Sequence, residues 1–177
     1  MTLTIAPLGE HEVDGLCALA AEIWRAHYPP LIGVAQTEYM LAQRYDPEIV
    51  RAELARGQVW WDTLAEDERI VAFASSFPVE AGGAVKIDKL YVHPQRQRLG
   101  YGGALIEHTC ERAQRLGYSS VLLAVNKRNT HAIAAYRKYG FEIGEAVVKD
   151  IGGGFVMDDY IMQRSLASSP GGVEVRE

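Results

Sequence analysis

Apolar residues fall at three- and four-residue steps from Val13 through Leu16, Cys17, Ala20, Ile23 and Trp24 to Tyr28, the stripe of an amphipathic helix. A short alternating strand, Leu3-Thr4-Ile5, precedes it, and Pro29-Pro30 ends it. Thr37 is placed to cap a second helix through Tyr45. Asp46-Pro47 offers a cap and a first-turn proline for a third helix, which stops at Gly57. From Val59 the period drops to two. Val59–Leu64, an acidic turn at Glu66-Asp67-Glu68, and Ile70–Ala74 form a hairpin, and a further strand runs from Ala84 to Val92. Helical spacing returns from Gly102 to Leu116, with Gly117 as its C-terminal cap. The unbroken apolar run Val121–Val125 fits a strand buried on both faces and therefore a parallel neighbour. Asn129 caps a last helix through Tyr139, Gly140 closes it, and strands at Phe141–Lys149 and Phe155–Arg164 flank Gly152-Gly153-Gly154.

This order predicts one α/β (α+β) domain over residues 1–167, followed by a disordered Ser, Pro and Gly-rich tail at 168–177. Composition agrees: 177 residues, 48% hydrophobic and 23% charged, are ordinary for a globular domain able to bury its own core. The formal charge of −5 offers little to a phosphate backbone, so nucleic acid is not an expected partner. No apolar run approaches the ~20 residues of a membrane span, and Met1–Thr4 shows no basic-then-apolar leader, so the expectation is a cytoplasmic protein without a membrane role. Cys17 and Cys110, each inside a helical pattern, read as buried free thiols. Five scattered histidines argue against a metal site.

The chemistry centres on Gln97-Arg98-Leu99-Gly100-Tyr101-Gly102, lying between a strand and a helix. Glycines there let backbone approach a ligand while free N–H groups at the helix start point at phosphate oxygens. Taken alone, the segment reads equally well as a tight turn. A nucleotide-hydrolysing loop would need Gly-Lys-Ser/Thr, whereas Gly102 precedes Gly103-Ala104. A dinucleotide fold would place its glycines after the first strand, and these follow the fourth.

Leu90-Tyr91-Val92-His93-Pro94, then Gln97 to Gly102, then Asn129-x-x-Ala132-Ile133-x-x-Tyr136-x-Lys138-x-Gly140-Phe141 resemble the GCN5-related N-acetyltransferases in motif and spacing. The element order is similar over residues 1–167, and Asp159-Tyr160-Ile161-Met162 resembles the family's last strand. Ile87–Tyr91 and the terminal segment look nearest to its polyamine-acetylating bacterial branch. The resemblance implies a mixed, mostly antiparallel sheet of six to seven strands, with helices on both faces and a cleft where the fourth and fifth strands splay beside a bulge. It implies acetyl-coenzyme A as cosubstrate, no metal, and direct attack by an amine without a covalent acetyl-enzyme.

Residue by residue, the resemblance gives Gln97, Arg98, Leu99, Gly100, Tyr101, Gly102 and Gly103 to the pyrophosphate, and the main chain of Leu90, Tyr91 and Val92 to the pantetheine arm. The Val92 amide would polarise the thioester carbonyl. Asn129 and Ala132 line the arm, and Tyr136 protonates the leaving thiolate. By periodicity alone Tyr136 is a core aromatic. An amine with an ordinary pKa near ~10.4 needs a base. Asp88 leads, although a strand residue balancing Lys86 or Lys89 reads nearly as well. Glu80, His93, Asp158 and Asp159 are further options, and His93 beside Pro94 also suits a surface turn. The acceptor pocket in such a fold draws on His27, Tyr28, Glu38 and Tyr39, of which Tyr28 also fits the buried stripe and Glu38 a helix start. The acceptor is a small-molecule amine or a basic peptide. The alternatives are a non-catalytic acyl-coenzyme A-binding module and a protein N-terminal or lysine acetyltransferase. The terminal strands offer an edge for a homodimer.

Overall fold

The computed structural model describes residues 1–79 and 82–167, so the expected tail at 168–177 and the candidate base Glu80 lie outside the described residues. Seven strands form one sheet in the order β1-β2-β3-β4-β5-β7-β6. They are β1 (Leu3–Pro7), β2 (Trp60–Glu66), β3 (Arg69–Val79), β4 (Ala84–Val92), β5 (Ser120–Asn126), β6 (Glu142–Gly152) and β7 (Phe155–Ser165). Every pairing is antiparallel except β4 with β5. Among the described residues six α-helices accompany the sheet: α1 (Val13–His27), α2 (Pro29–Ile32), α3 (Val34–Arg44), α4 (Pro47–Arg56), α5 (Tyr101–Arg115) and α6 (Thr130–Lys138), with 3-10 turns at Glu10–Glu12 and Pro94–Arg96.

The amphipathic stripes sort the helices to opposite faces. Leu16, Ala20, Ile23 and Trp24 of α1 pack with Met40, Leu41 and Val50 against Trp61 and Phe73. On the other face Ile106, Cys110 and Ile133 pack against Val85, Val121 and Leu123. Trp60 joins this second cluster while Trp61 joins the first, as strand alternation requires.

Three local expectations are corrected. Pro29 and Pro30 end α1 but also start the one-turn α2, because their fixed φ suits a helix's first turn. Thr37 is not a cap. Helix α3 starts at Val34 after Gly33 (φ 84°), and the Thr37 hydroxyl donates back to the Gly33 carbonyl at 2.7 Å from inside the helix. The hairpin's second strand runs to Val79 rather than Ala74. Its turn is a two-residue one, with Asp67 and Glu68 both at positive φ, which matches the twist of paired strands. Asp46 caps α4 and Gly57 ends it in the left-handed region, as its sequence suggests.

One irregularity positions the site. Ser75 pairs with Lys89 but Ser76 with Ile87, so Asp88 is the extra residue of a bulge in β4. The parallel ladder to β5 runs from Ala84–Ser120 to Ile87–Leu123 and ends there. Beyond it the two strands part.

Candidate active site

The parted strands open a cavity of about 1020 Å³ that reaches from the glycine loop, past α6, to the floor between α1, α3 and β7. Its first wall is a strand edge. His93 donates its N–H to the Val71 carbonyl at 2.8 Å, and Tyr91 lies opposite Phe73. Ladder bonds alternate along an antiparallel strand, so Tyr91 and His93 bond to β3, and the N–H and C=O groups of Leu90 and Val92 turn toward the cavity. With β5 gone past Leu123, those groups have no strand partner.

The second wall is the start of α5. Gly100, at φ 84°, occupies the N-cap position without a capping side chain, and the helix's backbone bonding opens with Ala104 donating to Gly100. The N–H groups of Tyr101, Gly102 and Gly103 are therefore free to bind an anion. Arg98, at φ 64°, and Gly100 alternate the backbone into a concave run of N–H groups. Gly100→Ala forces a side chain into that conformation. It should cost about 1 kcal/mol of stability and raise the coenzyme A dissociation constant about tenfold, checked by calorimetric titration.

Gly103 has a different reason. A Cβ there would overlap the end of the Tyr139 ring, which lies over the first turn of α5 and lines the cavity. The Tyr101 hydroxyl donates to Glu66, which also accepts from Arg96 at 2.7 Å. Leu99 is exposed and is not part of the wall.

Asn129 caps α6 by accepting from the Ala132 N–H at 3.3 Å, and Tyr136 lies two turns along the same face. Both line the cavity. The Tyr136 ring packs edge-on against Phe141, and burial, with a smaller contribution from Tyr28, holds its phenol above the ordinary value. It is a protonated donor at neutral pH. Opposite it, the Tyr28 and Tyr91 hydroxyls meet at 3.1 Å, and burial raises both phenols well above the ordinary range. His27 lies beside Asn129 and His131, with burial lowering its pKa.

The bulge decides the fate of the acidic candidates. It brings consecutive residues Asp88 and Lys89 to the α1–α3 face together. The Asp88 carboxylate takes Lys89 Nζ at 2.6 Å and Arg44 at 3.1 Å. Burial works to raise its pKa, but Arg44 and then Lys89 outweigh it and hold the carboxyl at about 2. Such a group is a poor proton acceptor, which corrects the expectation for Asp88 as base. Asp159, buried at 5% exposure, lines the same cavity. Burial, then the neighbouring Asp158, raises its pKa despite Lys86 and Arg44. His93 turns away. Its Nδ1 accepts from the Gln95 N–H at 3.1 Å, and Nε2 meets Glu22 at 3.1 Å.

Two acceptor candidates also fall outside the walls. Glu38 is ion-paired with Arg25 at 2.8 Å on the surface, and Tyr39 donates to the Ile151 carbonyl at 3.0 Å while packing on Phe155. Tyr39 therefore buttresses the β6–β7 turn. The face of α3 that does line the cavity is Gln36, Met40 and Arg44, at four-residue steps. That spacing is present in the sequence. A helix start at Thr37 hides it by favouring the neighbouring Glu38 and Tyr39.

Cys17 and Cys110 are buried, and burial pushes each thiol up to about 11, so neither offers a thiolate. Among the described residues no group of His, Cys, Asp and Glu could hold a metal ion, and no helix is long and apolar enough to cross a membrane.

Known proteins share this architecture. A PaiA N-acetyltransferase from Thermoplasma acidophilum, in complex with coenzyme A, superposes with a TM-score of 0.80 at 20% identity, covering 93% of this chain and 99% of that one. A GCN5-related N-acetyltransferase from Rhodopseudomonas palustris gives 0.78 at 20% identity, with 94% and 97% covered. The ribosomal-protein-S18-alanine N-acetyltransferase of Escherichia coli gives 0.67 at 20% identity, with 99% and 100% covered. In sequence, an uncharacterized N-acetyltransferase of Schizosaccharomyces pombe is 29% identical over 84 residues, 46% of this chain and about half (52%) of that protein. The model of the acetyltransferase (GNAT) family matches residues 18–141. With the splayed strands, the free β4 edge and the open start of α5 all inside that span, the chain belongs to the GNAT family of acetyltransferases.

Proposed function

We propose that this protein moves an acetyl group from acetyl-coenzyme A to a primary amine by direct attack. The observation that carries the reading is the continuity of one cavity, from the unbonded N–H groups of α5, along the free Leu90–Val92 edge, to Tyr136 and Asp159. The α5 N–H groups and Arg98 bind the pyrophosphate. The β4 edge receives the pantetheine arm as an added strand would be received, with Asn129 and Ala132 beside it. A coenzyme A complex of a protein with this fold supports the same cosubstrate here.

Val92 donates its N–H to the thioester carbonyl oxygen, where negative charge grows as the amine attacks. Asp159 takes the proton that the ammonium must lose, either directly or through a water. The amine nitrogen then bonds to the carbonyl carbon, the C–S bond breaks, and Tyr136 gives its phenolic proton to the departing sulfur. The excess proton on the new amide nitrogen passes back to the Tyr136 oxygen through water. The buried, protonated thiols of Cys17 and Cys110 favour direct transfer over a thiol relay.

Free thiol release with acetyl-coenzyme A and an amine panel tests the reading. Binding of acetyl-coenzyme A without release for any amine or peptide would instead support an acyl-coenzyme A-binding module, and acetylation confined to peptides would point to a protein acceptor.

The pH profile tests the base. Burial, then Asp158, raises the Asp159 carboxyl above its ordinary value, so kcat/KM rises with pH through that raised value. Asp159→Asn should remove this acid limb and lower kcat/KM about 100-fold; a limb unchanged in that variant would exclude Asp159 as the base.

A further inference from the structure

The acceptor end of the cavity carries an excess of cations, although the protein as a whole carries −5. Arg44, Lys86 and Lys149 line it against Asp88 and Asp159. Asp88 is already held between Arg44 and Lys89, and Lys89 is buried at 4% exposure behind the floor. Lys86 and Lys149 form no ion pair among the described residues, and the Lys86 ammonium lies 6.0 Å from the centroid of the Phe77 ring. Lys86 and Asp88 lie on β4 and Asp159 on β7, and all three line the one cavity.

On the opposite wall Asp159 faces Val147 across β6–β7, and Lys149 is two residues further along the same face. Diagonal neighbours of this kind have backbone positions about 7–8 Å apart, so the two side chains project from one face of the sheet. The pocket therefore offers one carboxylate suited to an ammonium, and in the same lining two lysines with no counter-ion among the described residues. A polyamine would set its second ammonium against those lysines.

Resting on the acetyl-transfer reading above, we infer that the acceptor is an amine that also carries a carboxylate. Its ammonium meets Asp159 and its carboxylate lies between Lys86 and Lys149. An amino acid or a short amino carboxylate fits this description, and a polyamine or a lysine-rich peptide does not. Lys86 and Lys149 are then the residues that set acceptor specificity.

Matched acceptor pairs test the inference: tyrosine with tyramine, histidine with histamine, arginine with agmatine, and lysine with cadaverine, each followed by thiol release and by mass spectrometry of the acetylated product. In the pair turned over fastest, the carboxylate-bearing member should have the higher kcat/KM, by about tenfold or more. Lys86→Gln and Lys149→Gln should each lower kcat/KM for that member about tenfold more than for its decarboxylated partner, mainly through KM, while coenzyme A titration confirms a folded protein. A preference for the decarboxylated amine, or a carboxylate preference that survives both substitutions, overturns the inference and leaves the acetyl-transfer reading standing. No thiol release with any member overturns the inference, and no release with the wider amine and peptide panel either, while acetyl-coenzyme A binds, overturns both.

Discussion

Tyr136→Phe is expected to lower kcat on the order of 100-fold while leaving the acetyl-coenzyme A dissociation constant within about twofold of the wild type. The substitution removes very little. The Tyr136 ring packs edge-on against Phe141 and contributes to the cluster that seats α6 on the sheet, and phenylalanine keeps that contact. Only the hydroxyl goes. That hydroxyl is held protonated by burial, so at neutral pH it can give a proton and cannot act as a base. Among the tyrosines lining the cavity, Tyr136 lies on α6 with Asn129, while the Tyr28 and Tyr91 hydroxyls share one hydrogen bond at 3.1 Å.

Loss of the donor therefore raises the barrier of the step that breaks the C–S bond, without touching the α5 N–H groups or the β4 edge that hold the cosubstrate. Stopped-flow or steady-state thiol release, paired with calorimetry, separates the two quantities. Full turnover in the variant would sink the proposed acid role, and a parallel loss of affinity would recast Tyr136 as a binding residue. A change in kcat that vanishes with a more acidic thiol leaving group would strengthen the acid assignment, because such a group needs less protonation to depart.

Much of this architecture is legible in the residues. The glycine loop after the fourth strand, the Asn129 cap and the two-turn spacing to Tyr136 are local features, each fixed by a few neighbouring positions, and the chain folds them as their types demand. The electrostatics are not legible in the same way. Asp88 reads as a base because it sits on the strand entering the cleft. What disables it is Arg44, forty-four residues earlier, together with a bulge that sets Lys89 on the same face. Neither the bulge nor the helix phase that aims Arg44 inward is written within a short window. The same holds for α3: a start set three residues late favours Glu38 and Tyr39 over the stripe Gln36, Met40 and Arg44. Asp159 ranks among the weaker options in the sequence for a similar reason, since its place in the cavity wall comes from the pairing of β7 with β5 and β6 and not from anything adjacent along the chain.

The second large effect concerns stability. Asp88→Asn should destabilise the fold by about 3–5 kcal/mol, the usual consequence of leaving buried cations without their counter-ion. Lys89 is 4% exposed and Arg44 19% at the side chain, and Asp88 is the carboxylate within reach of both. Arg44 would keep the Asp88 backbone carbonyl at 3.2 Å, and Lys89 would keep the Trp61 and Tyr45 rings, at 5.1 and 5.8 Å from their centroids. Those contacts soften the loss but do not neutralise two charges.

The pH dependence has a definite sign. The folded carboxyl titrates at about 2 against an ordinary value of 3.8, so the native state binds fewer protons than the unfolded chain in that interval. The pair's contribution is fully present above pH 4 and is lost as the pH falls through 2, an amount of about 2 kcal/mol in the wild type. Urea unfolding between pH 7 and pH 2 should show this decline in the wild type and not in Asp88→Asn, whose midpoint is already low at neutral pH. A variant as stable as the wild type at pH 7 would mean that the two cations relax to water and that the bulge does not depend on them. The activity of whatever fraction remains folded tests the base separately: if Asp159 is the base, Asp88→Asn retains the acid limb of the kcat/KM profile that Asp159→Asn loses, and the two carboxylates, both in one cavity, part into a structural and a chemical role.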